Sequence, residues 1–156
     1  MRFDLVPIRS NYRGIGRSLL GTDLLTEKTE KKYKWLLEEY FKYLEIELIE
    51  EVGKKSFDKT IDFYKLLRSY DVMCEIIVYS ESSLQEAFGY PIEFLGIDIV
   101  HDMCESLIED SLNPRIEKYI NTNGLCRNLE DVKTIIPFQD CGNVEWKPCY
   151  VYKVII

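Results

Sequence analysis

The stretch Ser69–Pro114 decides the predicted fold, and it reads SYDVMCEIIVYSESSLQEAFGYPIEFLGIDIVHDMCESLIEDSLNP. Val72–Tyr79 is rich in β-branched residues and short enough for a strand. Ile92–Val100 has a similar composition and predicts a second strand. Because only about a dozen residues join these strands, antiparallel pairing between them is favoured. Ser82 and Gln85 have the spacing of a capping box, which predicts one helical turn in the connection.

The residues before this stretch predict two helices. From Thr26 to Val52 apolar residues recur at three- and four-residue steps, which indicates a long helix with a wide apolar surface. Gly53 ends that helix, and Ser56 is predicted to cap a second one. The inward-facing positions of the second helix are predicted to be Phe57, Ile61, Tyr64 and either Leu66 or Leu67.

The remaining segments predict short helices and two further strands. Helix start signals stand at Asp102, at Asn113-Pro114 and at Asn128, and Pro137 is expected to end the last helix. Leu107 and Ile108 are expected to face inward. Alternating residues predict strands at Arg2–Ile8 and Cys149–Ile156.

Together these elements predict an α+β fold in one domain that spans residues 1–156. A chain of 156 residues is long enough to bury a hydrophobic core without disulfides or metals. The expected architecture is an antiparallel or mixed sheet of three to four strands, packed against the long N-terminal helix and several short helices.

The charge of the chain is uneven. Residues 1–21 carry a net charge of +3, whereas from Ser69 onward there are six bases and fifteen acids. Within Ser69–Pro114 there are ten acids and no Lys or Arg. The overall net charge of −7 argues against direct nucleic-acid binding, because such affinity comes mainly from Lys and Arg on phosphates. A basic protein is the more natural partner.

Cysteine usage and hydropathy predict the compartment. The five cysteines include no C-x-x-C pair and are odd in number, so they indicate reduced thiols in a cytoplasmic protein. No apolar stretch approaches the ~20 residues that a membrane span requires, and charges interrupt the first apolar run. We therefore expect a cytoplasmic protein with no membrane partner.

His101 is the one place where acid–base or metal chemistry suggests itself. It is the single histidine, and Asp102 and Glu105 lie close to it in sequence. Those two carboxylates already have a local explanation as a helix cap and its capping-box partner. We therefore predict no catalytic residue, no metal and no cofactor. The alternative is a small metal-assisted hydrolase centred on His101 and Asp102, with Asp98 as a third residue.

The acidic side chains of the second half predict a partner-binding surface, with the usual solvated charged face as the alternative. Glu105 and Glu109 fall one turn apart, where like charges cost roughly 0.2–0.5 kcal/mol. Acids kept at unfavourable positions are typical of electrostatic steering toward a cationic partner. The predicted partner-binding residues are Asp98, Glu105, Glu109, Asp110, Glu81, Glu86 and Glu93, with Tyr79 and Tyr90 as aromatic anchors.

Five stretches of the second half form a characteristic order: Phe94-Leu-Gly-Ile-Asp-Ile-Val100, Glu105-Ser106, Asn121-x-Asn-Gly-Leu125, Asn128-Leu-Glu-Asp-Val132 and Tyr150-Val-Tyr-Lys-Val154. In this order of sheet, short helices and terminal strand, the second half of the chain resembles a family of small bacterial immunity proteins. Proteins of this kind are encoded beside polymorphic or contact-dependent-growth-inhibition toxins. The resemblance implies an acidic, cytoplasmic, non-enzymatic inhibitor that binds a cognate toxin domain, often a basic nuclease. A protein-interaction subunit unrelated to toxins is the remaining alternative.

Overall fold

A five-stranded sheet is the main element of this computed structural model. The structure describes residues 1–8, 12, 34, 35, 38, 42, 54–101, 106–108, 114–139 and 145–156. In chain order the strands are β1 (Arg2–Pro7), β2 (Cys74–Ser80), β3 (Glu86–Ala87), β4 (Tyr90–Val100) and β5 (Lys147–Val154). Across the sheet the order is β1-β2-β5-β4-β3. β5 pairs antiparallel with β2 and with β4, and β3 pairs antiparallel with β4.

The helices of the described residues are short or of moderate length. They are α1 (Lys54–Ser69), α2 (Pro114–Glu117) and α3 (Leu129–Gln139). Asn128 caps α3, because its side-chain oxygen accepts a hydrogen bond from the Asp131 amide at 2.9 Å. The helix continues two residues beyond Pro137 rather than ending before it. A proline so close to the end disturbs only the last turn. None of the described helices is long and apolar enough to cross a membrane.

The predicted fold class is wrong. The sheet has five strands rather than three to four, and the described residues include no long N-terminal helix packed against it. The longest described helix is α1, with 16 residues. The segment predicted as a long helix, Thr26–Val52, lies outside the described residues apart from Lys34, Trp35, Glu38 and Lys42, which are helical.

A tight hairpin accounts for part of this difference. Where the Ser82 and Gln85 spacing predicts a helical turn, the chain instead forms β3 and turns back into β4. The turn residues Phe88 and Gly89 both have positive φ, of 52° and 89°. Positive φ at both central residues is the requirement of a type I′ turn, whose twist suits a two-residue hairpin. The prediction was wrong here because Phe is not among the residues that usually occupy the first central position of such a turn.

The central strand of the sheet is β5, and this corrects the predicted pairing of β2 with β4. Tyr79 of β2 pairs with Val151, and Ile97 of β4 pairs with Tyr150. The last strand therefore lies between the two strands predicted to be neighbours. β5 suits this place because it buries Cys149, Val151, Tyr152 and Val154.

A β-bulge in β4 changes the direction of its side chains. The register with β5 shifts between Phe94 and Gly96. The Leu95 carbonyl in the bulge accepts hydrogen bonds from the side-chain amides of Asn121 at 2.7 Å and Asn123 at 3.0 Å. Ile97 then exchanges backbone hydrogen bonds with Cys126, at 2.8 and 2.9 Å. The loop that contains these asparagines thus holds the bulge in place. It also pairs with the edge of β4 that faces away from β5.

The described residues fall into two compact units, each with its own packing. One unit holds Met1, Tyr12 and the described part of Ile77–Ile156, and the other holds Arg2–Ile8 and the described part of Arg17–Ile76. The prediction of one domain over residues 1–156 stays a prediction. In the first unit the core is formed by Ile97, Ile99, Leu107, Ile108, Ile116, Cys126, Val132 and Ile135. The inward orientation predicted for Leu107 and Ile108 is thereby confirmed.

In the second unit α1 packs on β1. The rings of Phe3 and Phe57 meet edge to face, with centroids 5.1 Å apart. Phe57, Ile61 and Leu67 are buried as their spacing predicts, whereas Tyr64 is only half-buried and Leu66 is exposed.

Candidate functional site

The predicted partner-binding acids do not share one environment. Glu81, Glu86 and Glu93 are exposed. Asp98 is only 1% exposed. Glu105, Glu109 and Asp110 lie outside the described residues, so nothing follows for them from the structure.

Asp98 serves the interior of the fold. Its carboxylate accepts hydrogen bonds from the Ile99 amide at 2.8 Å and from the Ser106 hydroxyl at 2.5 Å. The Ser106 hydroxyl in turn accepts a hydrogen bond from the Ile108 amide at 3.2 Å. A buried carboxylate requires such partners, and these tie the 106–108 segment to β4. Asp98 is therefore not a surface contact for a partner.

The two predicted aromatic anchors also differ. Tyr79 is 3% exposed and belongs to the core, where it pairs with Val151 across β2 and β5. Tyr90 is half-buried and opens β4, directly opposite Ala87. Of the two, Tyr90 alone reaches solvent to an extent that a partner can use.

Two of the three exposed acids, Glu86 and Glu93, lie on one hairpin, which we call the acidic hairpin (Glu86–Glu93). Glu86 lies opposite Pro91 in the β3–β4 pair, and Glu93 follows two residues later on β4. Directly opposed and alternate residues point to the same face of a sheet, so Glu86 and Glu93 share a face. Glu93 also forms an ion pair with Lys153 of β5 at 3.1 Å. Glu81 lies just after β2, in the segment that leads into the hairpin.

The opposite face of β4, together with β5, carries a pocket of about 490 Å³, which we call the aromatic pocket. A volume of this size is within the range of ligand-binding clefts. The pocket is lined by Ser83, Leu84, Phe94, Ile97, Arg127, Asn128, Leu129, Glu130, Tyr150 and Tyr152.

The register of the strands brings the three rings of the aromatic pocket together. Tyr150 and Tyr152 are two residues apart on β5, and Phe94 is the direct partner of Tyr152. The Phe94 ring centroid lies 5.5 Å from that of Tyr152 and 6.3 Å from that of Tyr150. The bulge at Gly96 then brings Ile97 opposite Tyr150. Without the bulge, the period-two alternation would turn Ile97 away from Phe94.

Loops complete the rim of the aromatic pocket. The Leu84 amide donates a hydrogen bond to the Tyr152 hydroxyl at 2.9 Å, which fixes the segment after β2 against the rings. On the other side, the capped start of α3 supplies Asn128, Leu129 and Glu130.

His101 packs against an aromatic side chain. Its ring lies edge to face against Trp146, with centroids 4.9 Å apart. Among the described residues no group of three His, Cys, Asp or Glu side chains is placed to hold a metal ion. Asp102 and Glu105 lie outside those residues.

Two of the described cysteines, Cys74 and Cys126, are poor nucleophiles. Cys74, Cys126 and Cys149 are buried thiols that form no disulfide. Burial raises the pKa of the Cys74 and Cys126 thiols to about 12. A thiol needs its ionised form to attack a substrate or ligate a metal, so neither residue is suited to those roles. Cys104 and Cys141 lie outside the described residues.

The sequence shows which acidic residues the chain contains, but it did not predict the aromatic pocket. Its signal was present in the alternation Tyr150-x-Tyr152, which puts two rings on one face of a strand. That Phe94 and the start of α3 join this face depends on strand order and on the bulge, which the alternation does not reveal. Comparison of the chain with protein-family models, curated proteins and solved structures found no match.

Proposed function

We propose that this protein acts in the cytoplasm as an immunity-type inhibitor that binds and neutralises a cognate bacterial toxin of basic character, such as a nuclease. The observation that carries the proposal is the set of exposed acids along and just before the acidic hairpin. Glu81, Glu86 and Glu93 are all exposed there, and Glu86 and Glu93 share a face.

The charge balance of the second half supports a basic partner. From Ile77 to Ile156 the chain has six bases and thirteen acids. Such an excess produces a negative potential that attracts a cationic protein over about 10 Å at 0.1 M ionic strength. The same potential repels phosphates, so the proposed partner is the toxin and not its nucleic-acid substrate.

Neutralisation then follows from occupancy of the toxin's cationic side chains. A basic nuclease holds phosphates with Lys and Arg, and carboxylates of an inhibitor compete for the same donors. Long-range attraction speeds the encounter, whereas close contacts with half-buried groups such as Tyr90 slow dissociation.

The test is a kinetic binding experiment with the protein encoded by the adjacent gene. We expect the double variant Glu81→Lys/Glu86→Lys to associate at least about tenfold more slowly at low salt, with a weaker dependence of the rate on salt. The matched control is Asp58→Lys/Asp62→Lys, which makes the same change in net charge at exposed positions of α1. Association rates that fall equally in both variants would contradict a role for the acids along and just before the acidic hairpin.

Co-expression separates toxin neutralisation from other protein interactions. If the adjacent gene product arrests growth, the wild-type protein is expected to restore it, and the Glu81→Lys/Glu86→Lys variant to restore it less well. Binding without rescue of growth would favour the interaction subunit unrelated to toxins. The hydrolase alternative is not proposed, because Asp98, one of its three residues, is buried and bonded to Ser106.

A further inference from the structure

The aromatic pocket exposes ring faces to solvent. Phe94 is 46% exposed although it packs against Tyr150 and Tyr152. The face of an aromatic ring carries partial negative charge, so it attracts cations placed above it. Phe94 and the half-buried Tyr150 offer such faces to the pocket, whereas Tyr152 is only 4% exposed and packs against the Phe94 ring.

The charges at the rim of the pocket leave one acid available. The Glu130 side chain is 86% exposed, and its contact with Lys133 is long, at 4.0 Å. An exposed pair of that length is weak, so the carboxylate can exchange partners at little cost. Arg127 also lines the pocket, but its Nε lies 3.3 Å from the Asp131 carboxylate. Its Nη2 donates to the Lys118 carbonyl, so part of its charge is offset and two of its nitrogens already have partners.

From these features we infer that the aromatic pocket accepts an arginine side chain of a basic protein partner. The guanidinium would stack on Phe94 and Tyr150 while donating to Glu130, and the exposed Leu129 would contact its methylene stem. A guanidinium is planar and more weakly hydrated than an ammonium group, so it is suited to a partly apolar pocket. The inference rests on the proposed function, because the basic toxin would supply the arginine. A cationic ligand is favoured because the second half of the chain is acidic.

The first experiment uses a small probe, so that it does not depend on the toxin. The peptide acetyl-Gly-Arg-Gly-amide is titrated into the isotopically labelled full chain and followed by NMR. The matched probe replaces Arg with citrulline, which has the same shape and no charge. We expect shifts of the Phe94, Tyr150 and Tyr152 ring signals that saturate with the arginine peptide, and binding at least about fivefold weaker with citrulline. Equal binding of both peptides, or no shifts at these rings, would overturn the inference.

The second experiment uses variants of the pocket. Phe94→Leu keeps an apolar side chain and removes one ring face, and Glu130→Gln removes the acid without changing its size. Each is expected to weaken binding of the arginine peptide by about two- to tenfold. The controls are Leu66→Ala and Glu117→Gln, at exposed positions outside the pocket. Undiminished binding in both pocket variants would also overturn the inference.

The arginine-peptide experiments and the toxin-binding experiment can fail independently of each other. If the toxin binds with salt-dependent kinetics but the arginine peptide leaves the rings unperturbed, the inference fails and the proposed function stands. If the peptide binds at the rings but the toxin does not bind the protein, the proposed function fails and the site stands as a pocket for a cationic side chain.

Discussion

At the scale of single residues, two glycines with positive φ have different surroundings. Gly89 has φ +89° and open space around the position of an added Cβ. Gly96 has φ +143°, and an added Cβ would lie 2.6 Å from the Leu125 Cβ and 2.8 Å from the Cys126 carbonyl oxygen. Backbone strain alone opposes a side chain at Gly89, whereas steric overlap is added to it at Gly96.

Substitution of Gly89 and of Gly96 by alanine is expected to lower the stability by different amounts. We expect Gly89→Ala to lower the free energy of unfolding by about 1–2 kcal/mol, from backbone strain. Gly96→Ala is expected to lower it by about 3 kcal/mol or more, because the loop that covers β4 must move as well. Urea denaturation followed by circular dichroism measures both. Equal losses would show that the loop yields freely and does not hold the bulge.

The buried thiols predict a fall in stability at alkaline pH. The pKa of Cys74 and of Cys126 is raised from 9.0 to about 12 by burial. Above about pH 9 the unfolded chain loses these protons while the folded chain retains them, so unfolding is favoured. Each thiol then lowers the free energy of unfolding by about 1.4 kcal/mol per pH unit between these two pKa values.

The measurement is urea denaturation at pH 8, 9 and 10, in the wild type and in Cys74→Ala/Cys126→Ala. All other groups are common to both proteins, so the difference between the two slopes isolates the two thiols. We expect a shallower fall in the double variant. Parallel slopes would mean that these thiols ionise as easily in the folded state as in the unfolded one.

At the scale of elements, the sequence predicted features that depend on residues close together in the chain, such as a helix cap and the buried face of a helix. Asn128 was identified as the cap of a helix that starts at Leu129, and the structure confirms it. The burial of Phe57, Ile61 and Leu67 follows directly from helical spacing. The β3–β4 hairpin was missed, since Phe88 adopts positive φ through its surroundings rather than through its own preference.

The cap of α3 predicts a modest and specific loss. We expect Asn128→Ala to lower the free energy of unfolding by about 1 kcal/mol, because the Asp131 amide loses its acceptor. Asn128→Asp is the control, since a carboxylate caps as well as an amide and also suits the positive end of the helix dipole. The thermal midpoints of the two variants provide the measurement, and a loss of similar size in both would exclude capping as the cause.

At the scale of the whole molecule, strand order was the main feature that sequence could not provide. Alternation in β2, β4 and β5 predicts that each is a strand but not which of them are neighbours. The predicted pairing followed from proximity along the chain, whereas burial on both sides of β5 makes the last strand the central one. The candidate site shares this limit: the acids can be counted in sequence, but the aromatic pocket exists only when β4 lies beside β5.

The central position of β5 predicts an all-or-none effect of truncation. Removal of residues 147–156 would leave β2 and β4 without the strand between them, and would remove Tyr150 and Tyr152 from the pocket. We expect the truncated chain to lose its cooperative thermal transition by circular dichroism. As a control, removal of Ile155 and Ile156 alone, which are exposed and lie beyond β5, is expected to preserve the transition.

The place of β5 in the sheet also has a consequence for synthesis on the ribosome. Among the described strands β5 is translated last, yet β2 and β4 both need it as their hydrogen-bonding partner. Until it emerges from the exit tunnel, the nascent chain carries two apolar strands with unpaired edges, which is a state prone to association. The ten acidic side chains between Ser69 and Pro114 are already present at that stage, and their mutual repulsion opposes association between neighbouring nascent chains.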